Sequence, residues 1–245
     1  MTTYKFLQYN TDSLRLGWDV LERQVEKADI ILLQRFPKEE QKKLCNIIDR
    51  VFITDSVGPN QLSLVIGKTE KVSSIGSLET ITLPSQQLIT AIANPWQGCT
   101  ALKGVIGSVN IISVLPCFPE ITGEYPVLQE DSIKDVKFLL EKYKDSETII
   151  AGDFHMAPNK EMDDMLKEYG FTSYLDNYDT FKSREGMMNL DRLISNFAID
   201  ISDIIVHNVD TDMQQGHFPI TYTLSWEPNK KDESNEDINE FKNLT

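Results

Sequence analysis

Short apolar runs alternate with amphipathic stretches along the chain, a pattern typical of α/β proteins. The apolar runs predict strands at 5–9, 29–34, 51–54, 62–67, 88–94, 109–115, 148–154, 190–195, 204–209 and 220–225. Apolar residues at helical spacing predict helices at 12–28, 37–50, 130–144 and 159–169. Because no repeat or linker interrupts this pattern, we predict one α/β domain with two stacked sheets and helices outside.

The start of the first helix is predicted from its polar flank. Leu14, Trp18 and Leu21 follow one another at steps of four and three, which places them on one helix face. Asp12 or Ser13 stands just before this run and is the expected N-cap, since short polar side chains accept hydrogen bonds from the first helical N–H groups.

The net charge of the chain argues against one functional class of protein. The 245 residues include 38 acidic and 24 basic side chains, for a net charge of −14. A protein that coats nucleic acid needs many Lys and Arg contacts to phosphate, so this balance argues against that class. The end of the chain carries six acidic and three basic side chains. We therefore predict a folded domain over 1–226 and an acidic, disordered tail over 227–245.

Targeting signals and cysteine usage indicate the compartment. The N-terminal residues lack the basic segment and apolar run of a signal peptide. The uncharged stretch 80–102 contains two prolines and four amide side chains, which do not suit a membrane-spanning helix. Cys45, Cys99 and Cys117 form no CxxC pair, which favours reduced thiols. We expect a cytoplasmic protein without membrane contact, whose oligomeric state the sequence does not define.

Polar residues that could take part in catalysis or ligand binding lie at or just beyond the ends of predicted strands. A rigid sheet holds such side chains while loops shape a cleft around them, so strand ends are common places for sites. The candidates are Asn10, Asp12, Arg35, Asp153, His155, Asp191 and His217.

Several of these residues also have ordinary structural explanations. Asp153 could cap a turn, Arg35 could bind strand-end carbonyl groups, and His217 could be a satisfied core histidine. Asp191 is different, because it is a charge inside an apolar strand. Burying it is costly unless it is paired, which favours a partner such as His217.

Five pieces of the sequence, in order, resemble the endonuclease/exonuclease/phosphatase superfamily, which includes apurinic endonucleases, pancreatic-type deoxyribonucleases and retrotransposon endonucleases. They are LQYNTDSL, ADIILLQRF, IIAGDFHMAPN, YDTFKSREGMMNLDRLIS and GHFPITYTL, and they span residues 7–224. The retrotransposon branch is the most similar in the last two pieces. The resemblance implies a four-layer α/β sandwich, in which helices flank two mostly antiparallel central sheets. It also implies a metal-assisted, phosphodiester-cleaving cleft at one edge.

The resemblance assigns roles to five positions. Asn10 and Asp12 match the N-x-D piece at the end of the first strand. Asp153 matches the carboxylate of the GDFN motif that orients the attacking water. Asp191 and His217 match the pair in which the carboxylate holds the imidazole against the phosphate. By this resemblance Asn10, Asp153, Asp191 and His217 are the catalytic candidates.

Three other positions depart from the family pattern. Arg35 replaces the glutamate of the LQE motif, which is the principal metal ligand. Gly216 replaces the aspartate of SDH, and His155 replaces the asparagine of GDFN. A guanidinium cannot ligate a cation, and at about 4 Å each unit-charge pair is worth roughly 4 kcal/mol at an effective dielectric near 20. Arg35 should therefore repel a divalent ion rather than hold it.

Two interpretations follow. In the favoured one, Arg35 takes the place of the metal and pairs with Asp153. Arg35, Asp12 and His155 then contact the ligand, and the cleft binds without cutting and needs no cofactor. In the other, Asp153 and His155, together with His217, hold a relocated Mg²⁺ or Mn²⁺ ion, with Zn²⁺ a further option. That protein is an active phosphodiesterase or endonuclease.

We therefore predict a pseudoenzyme of nuclease descent with a binding or regulatory role. Its expected partner is a nucleotide, a nucleic-acid end or another protein. A third interpretation is a purely protein-binding module whose acidic surface imitates nucleic acid.

Overall fold

The structure is a computed structural model that describes residues 1–12, 14–48, 53–58, 61–67, 76–85, 100–116, 129–208 and 216–227. The predicted strand at 88–94 and the predicted tail beyond Glu227 lie outside these residues, as do Cys99 and Cys117. Cys45 is an exposed free thiol.

Four α-helices and fifteen strands are formed by the described residues. The helices are α1 (Trp18–Val25), α2 (Gln41–Ile47), α3 (Gln129–Tyr143) and α4 (Lys160–Glu168). The long strands are β1 (Thr2–Asn10), β2 (Ile30–Pro37), β3 (Ile53–Gly58), β4 (Gln61–Gly67), β5 (Gly76–Ile81), β6 (Thr100–Ile106), β7 (Val109–Leu115), β8 (Thr148–Asp153), β12 (Asp191–Ser195), β13 (Asp200–Val206) and β15 (Ile220–Trp226). The short strands are β9 (Thr172–Ser173), β10 (Phe181–Lys182), β11 (Met187–Met188) and β14 (Gly216–His217). None of the described helices is long and apolar enough to cross a lipid bilayer.

Two large sheets form the centre of the protein. Their strand orders are β13-β15-β1-β2-β4-β3 and β5-β6-β7-β8-β12-β9. Within each sheet one pair of neighbours is parallel, β1 with β2 and β7 with β8, and the other described pairs are antiparallel. The predicted mostly antiparallel sheets are thus confirmed. Binding sites in such proteins form at the carboxyl ends of parallel strands.

Three buried apolar clusters show how the layers pack. The cluster between the two sheets includes Phe6, Ile30, Leu193 and Tyr222. The cluster between the first sheet and α1 and α2 includes Leu7, Leu21, Leu33 and Leu44. The cluster between the second sheet and α3 and α4 includes Leu139, Ile150, Met162 and Ile194. Alternate residues of β1, β2 and β8 face opposite clusters, as expected for strands covered on both sides. The predicted four-layer sandwich is confirmed.

The first helix is shorter than the predicted 12–28, because α1 begins only at Trp18. Asp12 and Leu14 have φ angles of 41° and 61°, in the left-handed region, which a helix cannot include. Gly17 stands at the N-cap and makes no side-chain capping bond. The prediction that Asp12 caps the helix is therefore wrong, since its carboxylate binds two arginines instead.

A close approach of two strands positions the end of β8. At Gly152, φ is 153° and an added Cβ would lie 1.9 Å from the carbonyl oxygen of Val114 on β7. Only glycine allows this approach, because any side chain would collide with the neighbouring backbone. Asp153 follows directly, so this contact sets its place at the sheet edge.

Arg192 is a fully buried charge on β12. Its Nη1 donates to Oδ1 of Asp176 at 3.3 Å, and its Nε and Nη2 have no hydrogen-bond partner among the described residues. Burial lowers the pKa of Arg192, while the Asp176 carboxylate opposes that change. Burying an unpaired charge is strongly destabilising, so the carboxylate of Asp176 is what compensates for the burial of Arg192.

We expect Asp176→Ala to lower the free energy of unfolding by about 2–3 kcal/mol, because it leaves the guanidinium of Arg192 buried without its carboxylate. This value is below the usual cost for a buried pair, since the Asp176 side chain is 33% exposed. Urea denaturation measures the change. Asp179→Ala, at an exposed position of the same loop, is the matched control. Equal losses in both variants would contradict the role of the pair.

Candidate functional site

A buried carboxylate at the end of β8 is the centre of the site. The Nδ2 of Asn10 donates to Oδ2 of Asp153 at 2.8 Å, and the backbone N–H of His155 donates to Oδ1 at 2.8 Å. Two imidazole nitrogens, Nδ1 of His155 and Nε2 of His217, lie 3.0 and 3.2 Å from Oδ2. A carboxylate has about four acceptor positions. Three of the four nitrogens lie at Oδ2 and one lies at Oδ1, and together they enclose Asp153, which is 0% exposed.

A second carboxylate lies directly opposite the first. Asp191 on β12 pairs in register with Asp153 on β8. Its Oδ2 is 2.8 Å from Nδ1 of His217, so the imidazole lies between two carboxylates. Like charges on facing strand positions repel, and the imidazole between them compensates for this repulsion.

A threonine and an aromatic ring hold this pair in place. The backbone N–H groups of Leu190 and Asp191 donate to Oγ1 of Thr180 at 3.2 and 3.0 Å. The ring of Phe181 lies 4.7 Å from that of His217, between centroids. Phe181 pairs with His217 between β10 and β14, and the carbonyl oxygen of Thr180, just before β10, accepts the N–H of Phe218 at 2.8 Å. The residue-by-residue predictions did not include Thr180, although the DTF piece of the resemblance contains it.

The two histidines have opposite protonation states. Burial lowers the pKa of His217, but the carboxylates of Asp153 and Asp191 outweigh it and raise that pKa to about 9. Burial dominates at His155 and lowers its pKa to about 4, with the charges of His217 and Arg35 adding to the effect. At neutral pH, His217 is therefore a cation and His155 is neutral.

The two aspartates differ for a similar reason. Burial raises the pKa of Asp191, and its contact with His217 only partly opposes this. Burial also acts to raise the pKa of Asp153, but the imidazoles of His155 and His217, with the hydrogen bonds from the His155 N–H and from Asn10, outweigh it and lower that pKa. The result is an ionised Asp153 held against a protonated imidazole.

Three residues around the site have unusual backbones. Asp12, Arg35 and His155 have φ angles of 41°, 53° and 54°, which residues other than glycine rarely adopt. Arg35 lies in a β-bulge, because the pairing of β2 with β4 shifts register between Leu33 and Phe36. Such conformations persist only where the surroundings impose them, and they concentrate at functional sites. No sequence signal indicated them.

Arg35 does not pair with Asp153, which corrects the prediction from the sequence. Its Nη1 lies 3.3 Å from Oδ1 of Asp12, and Oδ2 of Asp12 binds Nη1 of Arg15 at 3.0 Å. The backbone explains the difference, because the bulge turns Arg35 and Oγ1 of Thr11 holds its carbonyl oxygen at 2.8 Å. Arg15 was not among the predicted site residues, and nothing in the motifs pointed to it.

The structure brings most of the predicted site residues together. One buried cluster contains Asn10, Asp153, His155, Asp191 and His217. The other two, Asp12 and Arg35, form the adjoining arginine clamp, by which we mean Arg15, Asp12 and Arg35. The N–H of Asp12 donates to Oδ1 of Asn10 at 3.1 Å, and this bond links the clamp to the cluster. The catalytic, substrate-binding and metal-binding roles of these residues remain predictions.

A group with metal-ligand chemistry is present, but it does not fit Mg²⁺. Among the described residues, the potential ligand atoms that lie within 4.8 Å of one another belong to Asp153, Asp191 and His217. His155 is not in this group, and the metal-binding role of Asp153 and His155 remains a prediction. Mg²⁺ requires oxygen ligands and retains several waters. Here a protonated imidazole separates the two carboxylates, and all three side chains are buried.

Gly216, where the resemblance places a second metal-binding carboxylate, is also unsuited to an aspartate. Gly216 has a φ of 152°, a conformation that side-chain-bearing residues rarely adopt. An aspartate there would require the backbone to change. Arg35 and Gly216 both have positive φ angles, so at both positions the backbone conformation is unusual as well as the side chain.

Comparisons of sequence found no match, since neither a family model nor a curated protein resembles the chain. Solved structures do match its fold. The endonuclease/exonuclease/phosphatase from Beutenbergia cavernae DSM 12333 has a TM-score of 0.69 at 12% identity, over 91% of this chain and 72% of that chain. The endonuclease/exonuclease/phosphatase from Bacteroides vulgatus has a TM-score of 0.69 at 12% identity, over 93% of this chain and 100% of that one.

D. rerio TDP2, complexed with single strand DNA product, has a TM-score of 0.63 at 11% identity, over 92% of this chain and 100% of that chain. Identities this low establish a common fold and carry no residue's role from one protein to another. The fold that the sequence resemblance implied is confirmed by these matches.

Proposed function

We propose that this chain, which has the endonuclease/exonuclease/phosphatase fold, binds a phosphate-bearing ligand without Mg²⁺-dependent cleavage. The ligand is a nucleotide or a nucleic-acid end. The observation that carries the proposal is the enclosure of Asp153 by four nitrogens within 3.2 Å. Two of these nitrogens, on Asn10 and His155, donate hydrogen bonds to the carboxylate, and the protonated imidazole of His217 brings to it the positive charge that a metal ion would otherwise supply.

Charge supports binding rather than cutting. The protonated His217 neutralises the buried carboxylates, which is the task that a metal performs in a phosphate-cleaving site. Arg35 and Arg15 add two cations at the adjoining clamp and share one carboxylate, that of Asp12. Guanidinium groups bind phosphate oxygens with charge-assisted hydrogen bonds and need no metal.

The overall charge limits the size of the ligand. With a net charge of −14, the protein repels a long polyanion such as duplex DNA while the two are still approaching, before any direct contact forms. A short ligand with one terminal phosphate avoids most of this repulsion. The proposed ligand is therefore a nucleotide or a short single-stranded end rather than a duplex.

A second candidate is an active metal-dependent phosphodiesterase with rearranged ligands. The 2.8 Å contact between Asp191 and His217 favours it, because this pair is oriented as a carboxylate that positions an imidazole. The bond from Asn10 to Asp153 is also in place. In this candidate, His217 would have to lose its proton and move away from Asp153 or Asp191 before a metal ion could bind between them.

A nuclease assay on single-stranded, nicked and duplex DNA with Mg²⁺, Mn²⁺ or Zn²⁺ separates the two candidates. We expect no turnover that depends on the site, because the imidazole of His217, rather than a metal ion, lies between the two carboxylates. Binding of a phosphorylated oligonucleotide, followed by fluorescence anisotropy, should be unchanged when EDTA is added.

Turnover that His217→Asn abolishes would overturn the proposal and support the second candidate. His207→Asn is the matched control, since His207 is half-buried and bonds Thr221 away from this cluster. Loss of binding upon addition of EDTA would likewise count against a metal-free site.

A further inference from the structure

The arginine clamp is a pair of guanidinium groups that share one carboxylate. Arg15 binds one oxygen of Asp12 and Arg35 binds the other, at 3.0 and 3.3 Å. Because two cations share a single anion, the clamp has an excess positive charge in a protein that is acidic as a whole.

Among the described residues, most of the donors of the clamp have no side-chain acceptor. A guanidinium has five N–H donors. Asp12 is the one side-chain partner of Arg15 and of Arg35 among the described residues. The arginine side chains are 42% and 28% exposed, and so they are reachable by a ligand.

The clamp is held rigidly. Oγ1 of Thr11 donates to the carbonyl oxygen of Arg35 at 2.8 Å, and the N–H of Thr11 donates to that of Gln34 at 2.9 Å. Asp12 and Arg35 both have left-handed backbones. A clamp that is already ordered loses little conformational entropy when a ligand binds, and this raises affinity.

The position of the clamp links it to the buried cluster. Oδ1 of Asn10 accepts the N–H of Asp12, and Nδ2 of the same side chain donates to Asp153. One asparagine therefore connects the clamp with the carboxylate at the centre of the site. A phosphate at the clamp would lie at the end of a ligand that occupies the proposed site.

We propose that Arg15 and Arg35 select a terminal phosphate monoester over an internal phosphodiester. A monoester has three terminal oxygens and a charge of about −1.5 to −2 at pH 7, whereas a diester has two such oxygens and one charge. Three oxygens can serve two guanidinium forks, and two oxygens cannot serve both bidentately. This inference rests on the proposed function, because it names the ligand chemistry of the same site.

The test uses fluorescent pentanucleotides with a 5′ phosphate, a 3′ phosphate or neither, in EDTA, with affinity measured by anisotropy. We expect at least about tenfold tighter binding for one phosphorylated end than for the unphosphorylated chain. Arg35→Ala and Arg15→Ala should each remove this preference. Arg35→Lys should remove most of it, because an ammonium retains the charge but not the fork.

Arg23→Ala is the matched control, since Arg23 is an exposed arginine on α1 whose Nε bonds the carbonyl oxygen of Asp19. Its preference should equal that of the unchanged protein. Equal affinity for all three oligonucleotides, or a preference that survives both clamp variants, would overturn the selection while the proposed binding stands. No binding of any oligonucleotide would overturn both.

Discussion

Asp153→Ala should lower the free energy of unfolding by about 3–5 kcal/mol, as measured by urea denaturation. The substitution removes the shared partner of Asn10, His155 and His217, whose side chains are at most 5% exposed. Burying the protonated His217 against Asp191 alone is costly, because half of its counter-charge is gone. The loss of the hydrogen bonds from Asn10 and His155 adds to this cost.

The sign of this effect distinguishes the two candidate functions. In a catalytic site that holds Asp153 and Asp191 for a metal, the facing carboxylates repel, and removing one is neutral or stabilising. A gain in stability would therefore contradict the enclosed state of Asp153. Asp12→Ala is the control, because its side chain is 24% exposed and its arginine partners can be solvated. It should cost less than about 1 kcal/mol.

Alkaline pH should destabilise the protein through His217. The pKa of His217 is about 9 in the folded protein and about 6.5 in the unfolded chain. Its contribution to stability is therefore complete below pH 6.5 and is lost as the pH rises through 9. The loss is at most ~3 kcal/mol, from the difference between the two pKa values.

Acidic pH should also destabilise the protein, through His155. Its pKa falls to about 4 on folding, so the folded state resists protonation, and stability declines as the pH drops from about 6.5 towards 4. Thermal unfolding across pH 4–10 measures both limbs. His217→Asn should flatten the alkaline limb, and His207→Asn should leave it unchanged. An alkaline limb that persists in His217→Asn would show that another group is responsible.

The elements with strong local patterns were predicted well. The predicted helices at 130–144 and 159–169 correspond to α3 and α4 within one residue at each end. Asn159 caps α4 by accepting the N–H of Met162 at 2.9 Å, a contact between neighbours in the sequence. Helical periodicity and caps depend on residues three or four positions apart, so a single sequence contains the information they need.

Strands without an apolar run were missed. β5 and β6 were not predicted, since their sequences are interrupted by the charged residues Glu79 and Lys103. In the structure these two residues face each other across the strand pair and form an ion pair at 2.7 Å. The partner that makes a lysine acceptable in a strand lies on another strand, so it is invisible in a local window.

The sequence by itself determined the α/β class, the sandwich architecture and the set of residues that meet in the buried cluster. The tertiary structure decided how these residues are paired. Asn10 and Asp153 are 143 positions apart in the chain, and their contact depends on how β1 and β8 face each other. The left-handed backbone that directs Arg35 to Asp12, rather than to Asp153, also arises only when the bulge in β2 has formed. Motifs specify which side chains are available, whereas the packing of distant strands decides which charges meet.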